Sequence, residues 1–195
     1  GVTQSLFLGS MFTFVFLWTP AMDTVSHQVP YGMIFAIFMT MISLGSSIFQ
    51  YMSKRIETLV YWILGGSALA MIMSAMAIGN EYHLLFAFCM FEMFCGIMFP
   101  TYGSLRSKYI PDKQRTTIMN IYRIPLNLFV VVILLNKKNM SLQLTFAICS
   151  LALACSMFLW QYFQPVSKTL HGHQYEKANQ VDEEEDFGDV EDEEC

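Results

Sequence analysis

Apolar residues run along this chain in stretches of about twenty, broken by short polar clusters. A helix rising 1.5 Å per residue needs about 20 apolar residues to cross a hydrocarbon core of about 30 Å. Six stretches meet that length, at 3–22, 31–52, 58–79, 83–104, 116–135 and 141–163. The punctuation between them is Asp23 to Pro30, Ser53 to Glu57, Asn80 to Tyr82, Ser107 to Arg115, and Asn136 to Asn139. A soluble core helix would be shorter and would carry a charged face; these stretches lack one, as contact with lipid requires. The pattern predicts an all-α membrane protein with a six-helix transmembrane domain over 1–166. The remainder, 167–195, has no periodicity and reads as a disordered acidic tail.

The order of basic residues orients the spans. Lys54 and Arg55 follow the second stretch, Arg106, Lys108, Lys113 and Arg115 follow the fourth, and Lys168 and Lys177 lie in the tail. Loops on the opposite side hold only Lys137 and Lys138. Basic loops stay on the cytoplasmic side, so the first span starts inside and the C-terminus is cytoplasmic. Trp18 and Tyr31 fall near the outer boundary, where an aromatic belt sits.

Composition changes this picture in one respect. Of 195 residues, 54% are hydrophobic and 14% charged, and the formal net charge is −5. Eleven of the sixteen acids lie in 176–195, whereas residues 1–175 hold ten bases and five acids. The acidity therefore belongs to the tail, and the transmembrane body is basic. Nothing here points to nucleic acid. The chain begins on Gly1 inside an apolar run with no charged leader before it, so it reads as a fragment whose upstream part is missing. Four of the five cysteines, Cys89, Cys95, Cys149 and Cys155, lie in apolar runs without metal spacing and read as small packing residues. His171 and His173 sit in the tail, too few to define a metal site. No zinc-protease, phosphate-loop, nucleophile-elbow or dinucleotide motif occurs, so neither an enzyme nor a cofactor is expected.

Polarity is unequal among the spans. The third and sixth carry only small polar residues and Gln143. The first carries Thr3, Gln4, Ser5, Ser10, Thr13 and Thr19, the fourth carries Glu92, and the fifth carries Asn120, Arg123 and Asn127. A polar helix must face protein or water, so the first, fourth and fifth spans are expected to line an interior. Glu92 lies about 13 Å below the outer end of its span and Arg123 about 10 Å above the inner end of its own. The difference in depth, roughly 5–10 Å in a 30 Å core, is within reach of two long side chains. An ion pair or a shared aqueous site fits, and so does an architectural salt bridge or an Arg123 that snorkels to the surface. Asn120, Arg123 and Asn127 recur at helical spacing and share one face, and the guanidinium fork suits an oxyanion. Pro20, Pro100 and Pro125 are expected kinks, and Gly96, Gly45, Gly65 and Gly66 points of close helix approach. Leu17-Trp18-Thr19-Pro20 echoes Met98-Phe99-Pro100-Thr101, and Lys54-Arg55 echoes Lys137-Lys138, as two three-helix units of opposite topology would.

Three stretches carry a family resemblance. Gln4 to Phe7, Gly9 to Met11 and Thr13 to Pro20 look like the seventh helix of the molybdate-anion transporter family, a branch of the major facilitator superfamily. Phe91-Glu92, Cys95-Gly96 and Phe99-Pro100, with Leu105-Arg106, Lys108 and Ile110-Pro111, are similar to its tenth helix and the following loop. Asn120, Arg123 and Pro125-Leu126 resemble its eleventh. The chain departs from the family at Leu8, where an acid is expected, and at Asn127, where a histidine is. The resemblance implies the C-terminal half, helices seven to twelve, of a twelve-helix plasma-membrane carrier that moves molybdate by alternating access. It implies that Arg123, Asn120 and Asn127 hold the oxyanion, that Gln4 and Thr13 line the opposite wall, and that Glu92 is the counter-charge or proton site. The partners implied are the lipid bilayer and the missing N-terminal six-helix half. Two other readings stay open: a carrier of a different anionic solute, and a non-transporting scaffold acting through its acidic tail.

Overall fold

The computed structural model describes residues 2–25, 29–109, 112–136 and 140–162. The acidic tail, the Lys137 and Lys138 pair, and the side chains of Arg123 and Pro125 lie outside the described residues. The chain divides into two compact units, 1–159 and 160–195, and of the second only 160–162 is described.

The described chain is helical throughout its ordered elements. They are α1 (Val2–Asp23), α2 (Tyr31–Met52), α3 (Ile56–Met76), α4 (Glu81–Tyr109), α5 (Asp112–Leu135) and α6 (Leu142–Tyr162). Local signals set several boundaries. Gly79 takes φ 118°, a conformation that favours glycine, and ends the α3 turn. The Asn80 side chain then accepts the backbone N–H of His83 and caps α4. The Ser141 hydroxyl accepts the N–H of Leu144 and caps α6 in the same way. Pro20 and Pro100 lie inside α1 and α4.

Among the described residues, four helical stretches are long and apolar enough to cross a membrane: Val2–Asp23, Tyr31–Met76, Glu81–Ser107 and Leu142–Tyr162. The second merges the stretches expected at 31–52 and 58–79, because a 3₁₀ turn, Ser53–Arg55, joins α2 to α3. The chain nevertheless reverses there. Gly45 of α2 packs on the backbone of Met93, and Gly66 of α3 packs on the ring of the adjacent Phe94. On a straight helix Gly45 and Gly66 would stand about 30 Å apart. The break sits at Arg55, whose φ −128° and ψ 56° leave the helical region. The fifth stretch is described in part. Among the residues of α5 whose side chains are described, Leu126–Leu135 is an apolar helical segment, the second half of the stretch expected at 116–135.

The main packing pairs are α2 with α4, α3 with α4, and α1 with α5. Their detail repeats. Gly9 of α1 faces the ring of Phe129 on α5, and Gly45 of α2 faces Met93 on α4. A shift of 84 residues carries Gly9 to Met93 and Gly45 to Phe129, so one crossing maps onto the other. The same shift carries Phe7 to Phe91, and these rings stack on each other at 6.1 Å with 15° between planes. A contact that maps onto itself lies on a pseudo-two-fold axis, the arrangement of two inverted three-helix units.

Aromatic rings fill the space around that axis. Phe14 meets Phe88 edge to face at 5.0 Å and packs on Phe91 at 5.1 Å and Phe38 at 5.8 Å. Phe146 of α6 joins through Phe88 at 5.6 Å. Phe7, Phe14, Phe38, Phe88, Phe91 and Phe146 are all buried, so rings from α1, α2, α4 and α6 form one core. Such pairs are worth about 0.5–1.5 kcal/mol beyond the area they bury. Within a bilayer, where lipid is as apolar as the core, such packing takes over what hydrophobicity does in water.

Candidate functional site

Glu92 sits in the middle of α4, one residue from the axial Phe91. Its side chain is 7% exposed. Among the described residues it forms no hydrogen bond and no ion pair. Cys89 and Cys95, a turn before and after it, are its electrostatic neighbours on α4. Gly96, one turn on, lets the Ile42 backbone of α2 approach closely, so the face that carries Glu92 borders the tightest helix crossing. Pro100 lacks the N–H that would bond the Gly96 carbonyl, one turn from the carboxyl. An ionisable group buried within a span is costly by a few kcal/mol, which makes Glu92 the candidate site residue.

The other site residues expected from the sequence distribute as follows. Asn120 and Asn127 are both exposed on α5, together with Ile121, Ile124 and Leu128, so they do share a face. The backbone of Arg123 lies in the same helix. On α1, Gln4 is half-buried. Thr13 is fully buried, and its hydroxyl donates to the Gly9 carbonyl at 2.8 Å. Ser10 does the same to Leu6 at 3.0 Å, and the Cys149 thiol of α6 lies beside both hydroxyls. Among the described residues no hydrogen bond links Glu92 to Gln4, Thr13, Asn120 or Asn127. Gly45, Gly66 and Gly96 are points of close helix approach, whereas a side chain begun at Gly65 would meet the Met157 sulfur at an ordinary 3.5 Å. Among the described residues no three His, Cys, Asp or Glu side chains cluster as metal ligands would.

Two features escaped the reading of the sequence. α2 presents Thr40, Ser43, Ser47 and Gln50 on one exposed face, a signal carried by spacing and not by charge. Tyr102 on α4 is 4% exposed and turned toward Thr3 of α1, but no hydrogen bond closes on its hydroxyl among the described residues.

Several apolar helices of membrane-crossing length, packed about an aromatic core with a carboxyl buried beside the axis, define an integral, multi-pass membrane protein. Residues 1–90 match the family described as sugar transporters, 12 TM, a branch of the major facilitator superfamily. The chain is 36% identical over 137 residues to the molybdate-anion transporter of Xenopus tropicalis, a match covering 66% of this chain and 30% of that protein. The molybdate-anion transporter of Xenopus laevis matches to the same extent. That of Takifugu rubripes is 30% identical over 142 residues, covering 66% of this chain and 28% of its own length. The chain thus spans about 30% of the length of the curated relatives it matches. No solved structure matches. The relatives are transporters, which points away from catalysis.

Proposed function

We propose that this chain is the C-terminal six-helix half, helices seven to twelve, of a twelve-helix secondary active transporter that takes up an inorganic oxyanion, molybdate, by alternating access. The observation that carries the reading is Glu92, buried at the centre of a span without a partner among the described residues, in a chain similar over 66% of its length to molybdate-anion transporters. Arg123 holds the oxyanion through its guanidinium fork, with Asn120 and Asn127 as flanking donors on the exposed face of α5. Gln4 contributes from α1, the helix that packs on α5. Thr13 belongs to the same wall, although its hydroxyl is engaged inside the bundle.

Glu92 is the proton site. When it is ionised it competes with the anion for Arg123; when protonated it leaves that cation for substrate, so proton and anion move together. The C-terminus lies in the cytoplasm and the membrane is the plasma membrane. A carrier of another solute is the second reading, supported by the sugar-transporter description of the family that matches residues 1–90.

The test is uptake of radiolabelled molybdate into cells expressing the full-length parent. Loss of uptake in both Arg123→Lys and Arg123→Ala, at unchanged surface expression, supports the assignment. Wild-type protein that reaches the membrane and carries no molybdate refutes the cargo.

A further inference from the structure

α1 and α4 meet along one seam whose middle and two ends are built differently. In the middle, Phe7 stacks on Phe91, and Phe14 packs on Phe88 and Phe91. All four rings are buried. Towards the end of α1, Met22 and Leu85 share the wall of an apolar cavity of about 200 Å³ with Ile34 and Ile37 of α2. Atoms facing that space lack contacts on one side, so this end is loosely packed and leaves α1 room to shift. At the opposite end, Tyr102 of α4 is turned toward Thr3 of α1. Both are buried, Tyr102 with 4% of its surface exposed. The Tyr102 hydroxyl has no hydrogen-bond partner among the described residues.

The shift that relates the two halves of the fold carries Trp18 to Tyr102. Trp18 is half-buried and meets Tyr31 and Phe38 edge to face, at 6.0 and 5.3 Å. At that equivalent place the ring keeps part of itself at the surface, whereas Tyr102 takes its polar tip inside. A hydroxyl sealed away without a partner forfeits the hydrogen bonds it would make to water. The closed contact at Tyr102 is therefore costlier than an arrangement in which α1 and α4 part and water reaches the phenol. A phenylalanine ring would fill the same space without that cost.

We propose that Tyr102 is a positioning residue for the transport cycle: its buried hydroxyl weakens the contact that closes this end of the α1–α4 seam, and so sets how readily the end opens. The inference rests on the alternating-access reading above and names the residue that controls one of its steps. The tightly packed rings of Phe7 and Phe91 hold the middle of the seam, while the cavity at Met22 and Leu85 takes up the shift of α1. Even the low end of the cost of an unsatisfied buried hydroxyl corresponds to about five-fold in the population of the open form.

The test compares Tyr102→Phe with Ser67→Ala in the full-length parent. Ser67 of α3 is also buried, and its hydroxyl also lacks a partner among the described residues, so it carries the same defect away from the seam. Each substitution is combined with Thr3→Cys. Permeabilised membranes are treated with a water-soluble thiosulfonate, and modification of the peptide that holds position 3 is followed by mass. Tyr102→Phe should slow that modification at least about five-fold relative to Thr3→Cys alone, and Ser67→Ala should leave it unchanged. Both should melt at or above the temperature of the parent. Unchanged labelling in Tyr102→Phe overturns the proposal, and so does equal slowing by Ser67→Ala, which would mark general stiffening. A lower melting temperature for Tyr102→Phe also overturns it, since the hydroxyl would then be making a bond that holds the contact shut. The labelling needs no cargo: slowed modification in a protein that carries no molybdate would leave the role of Tyr102 standing and remove only the substrate.

Discussion

Replacing Gly45 with alanine tests the geometry of the α2–α4 crossing directly. The added methyl carbon falls well inside the contact radius of the Met93 carbonyl oxygen. It also lies 3.0 Å from the Met93 carbonyl carbon and 3.1 Å from the Ile97 nitrogen. Carbon contacts relax at about 3.5–4.0 Å, so the two helices must separate by roughly 1 Å. All three obstructing atoms are backbone, and no rotamer change relieves the clash. Overpacking costs about 1–3 kcal/mol, and the lack of any flexible neighbour places this case in the upper half of that range. At about 2–4 °C per kcal/mol for a domain of this size, the melting temperature should fall by roughly 4–12 °C. The assay is thermal unfolding of the full-length parent in nanodiscs, followed by a maleimide dye that reports exposure of Cys95 and Cys149, both buried. Gly65→Ala is the control, since its methyl would meet only the Met157 sulfur at 3.5 Å. It should match wild type or melt higher, alanine being favoured over glycine by about 0.8–1.0 kcal/mol in a helix. Gly96→Ala meets the same crossing from the other side, so the double variant should cost less than the sum of the singles. Equal melting of Gly45→Ala and Gly65→Ala would refute the crossing.

Further outcomes follow from the core and the site. Phe14→Ala removes the ring shared by Phe38, Phe88 and Phe91 and should cost about 3–5 kcal/mol in the same melting assay. Glu92→Gln removes a buried charge without changing volume; it should melt no lower than wild type while its uptake loses dependence on external pH. Full pH-dependent uptake in that variant would sink the proton role. Arg123→Lys keeps the charge and loses the fork, and uptake should fall more than about ten-fold if bidentate contact supplies 1.4 kcal/mol or more.

An all-helical chain with several apolar helices was legible because a bilayer demands length and apolarity, and both are printed in composition. Glu92 was legible for the same reason, as a charge where none is cheap. The rotation of each helix about its axis was not. Thr13 was expected on the wall opposite Arg123, and nothing in its pattern told that its side chain would be fully buried beside Cys149. On α1 lipid and core are equally apolar, so its pattern does not distinguish one face from the other. The exposed face of α2 with Thr40, Ser43, Ser47 and Gln50 escaped notice because serine and threonine pass as neutral filler when charge is the signal sought. The fusion of α2 and α3 into one helical stretch shows a third limit: Lys54 and Arg55 mark where the chain turns, not how tightly.

The two crossings related by the pseudo-two-fold are not equally stiff. Where α2 meets α4, glycine faces backbone, and two main chains bear on each other with nothing to rearrange. Where α1 meets α5, a side chain on Gly9 would begin 2.7 Å from the Phe129 ring, and a ring can swing on its own bonds. The first joint is welded and the second is sprung. Motion within these helices should therefore concentrate on the α1–α5 side, the side that carries Asn120, Arg123 and Asn127, while α2 and α4 travel as one body and carry Glu92 with them.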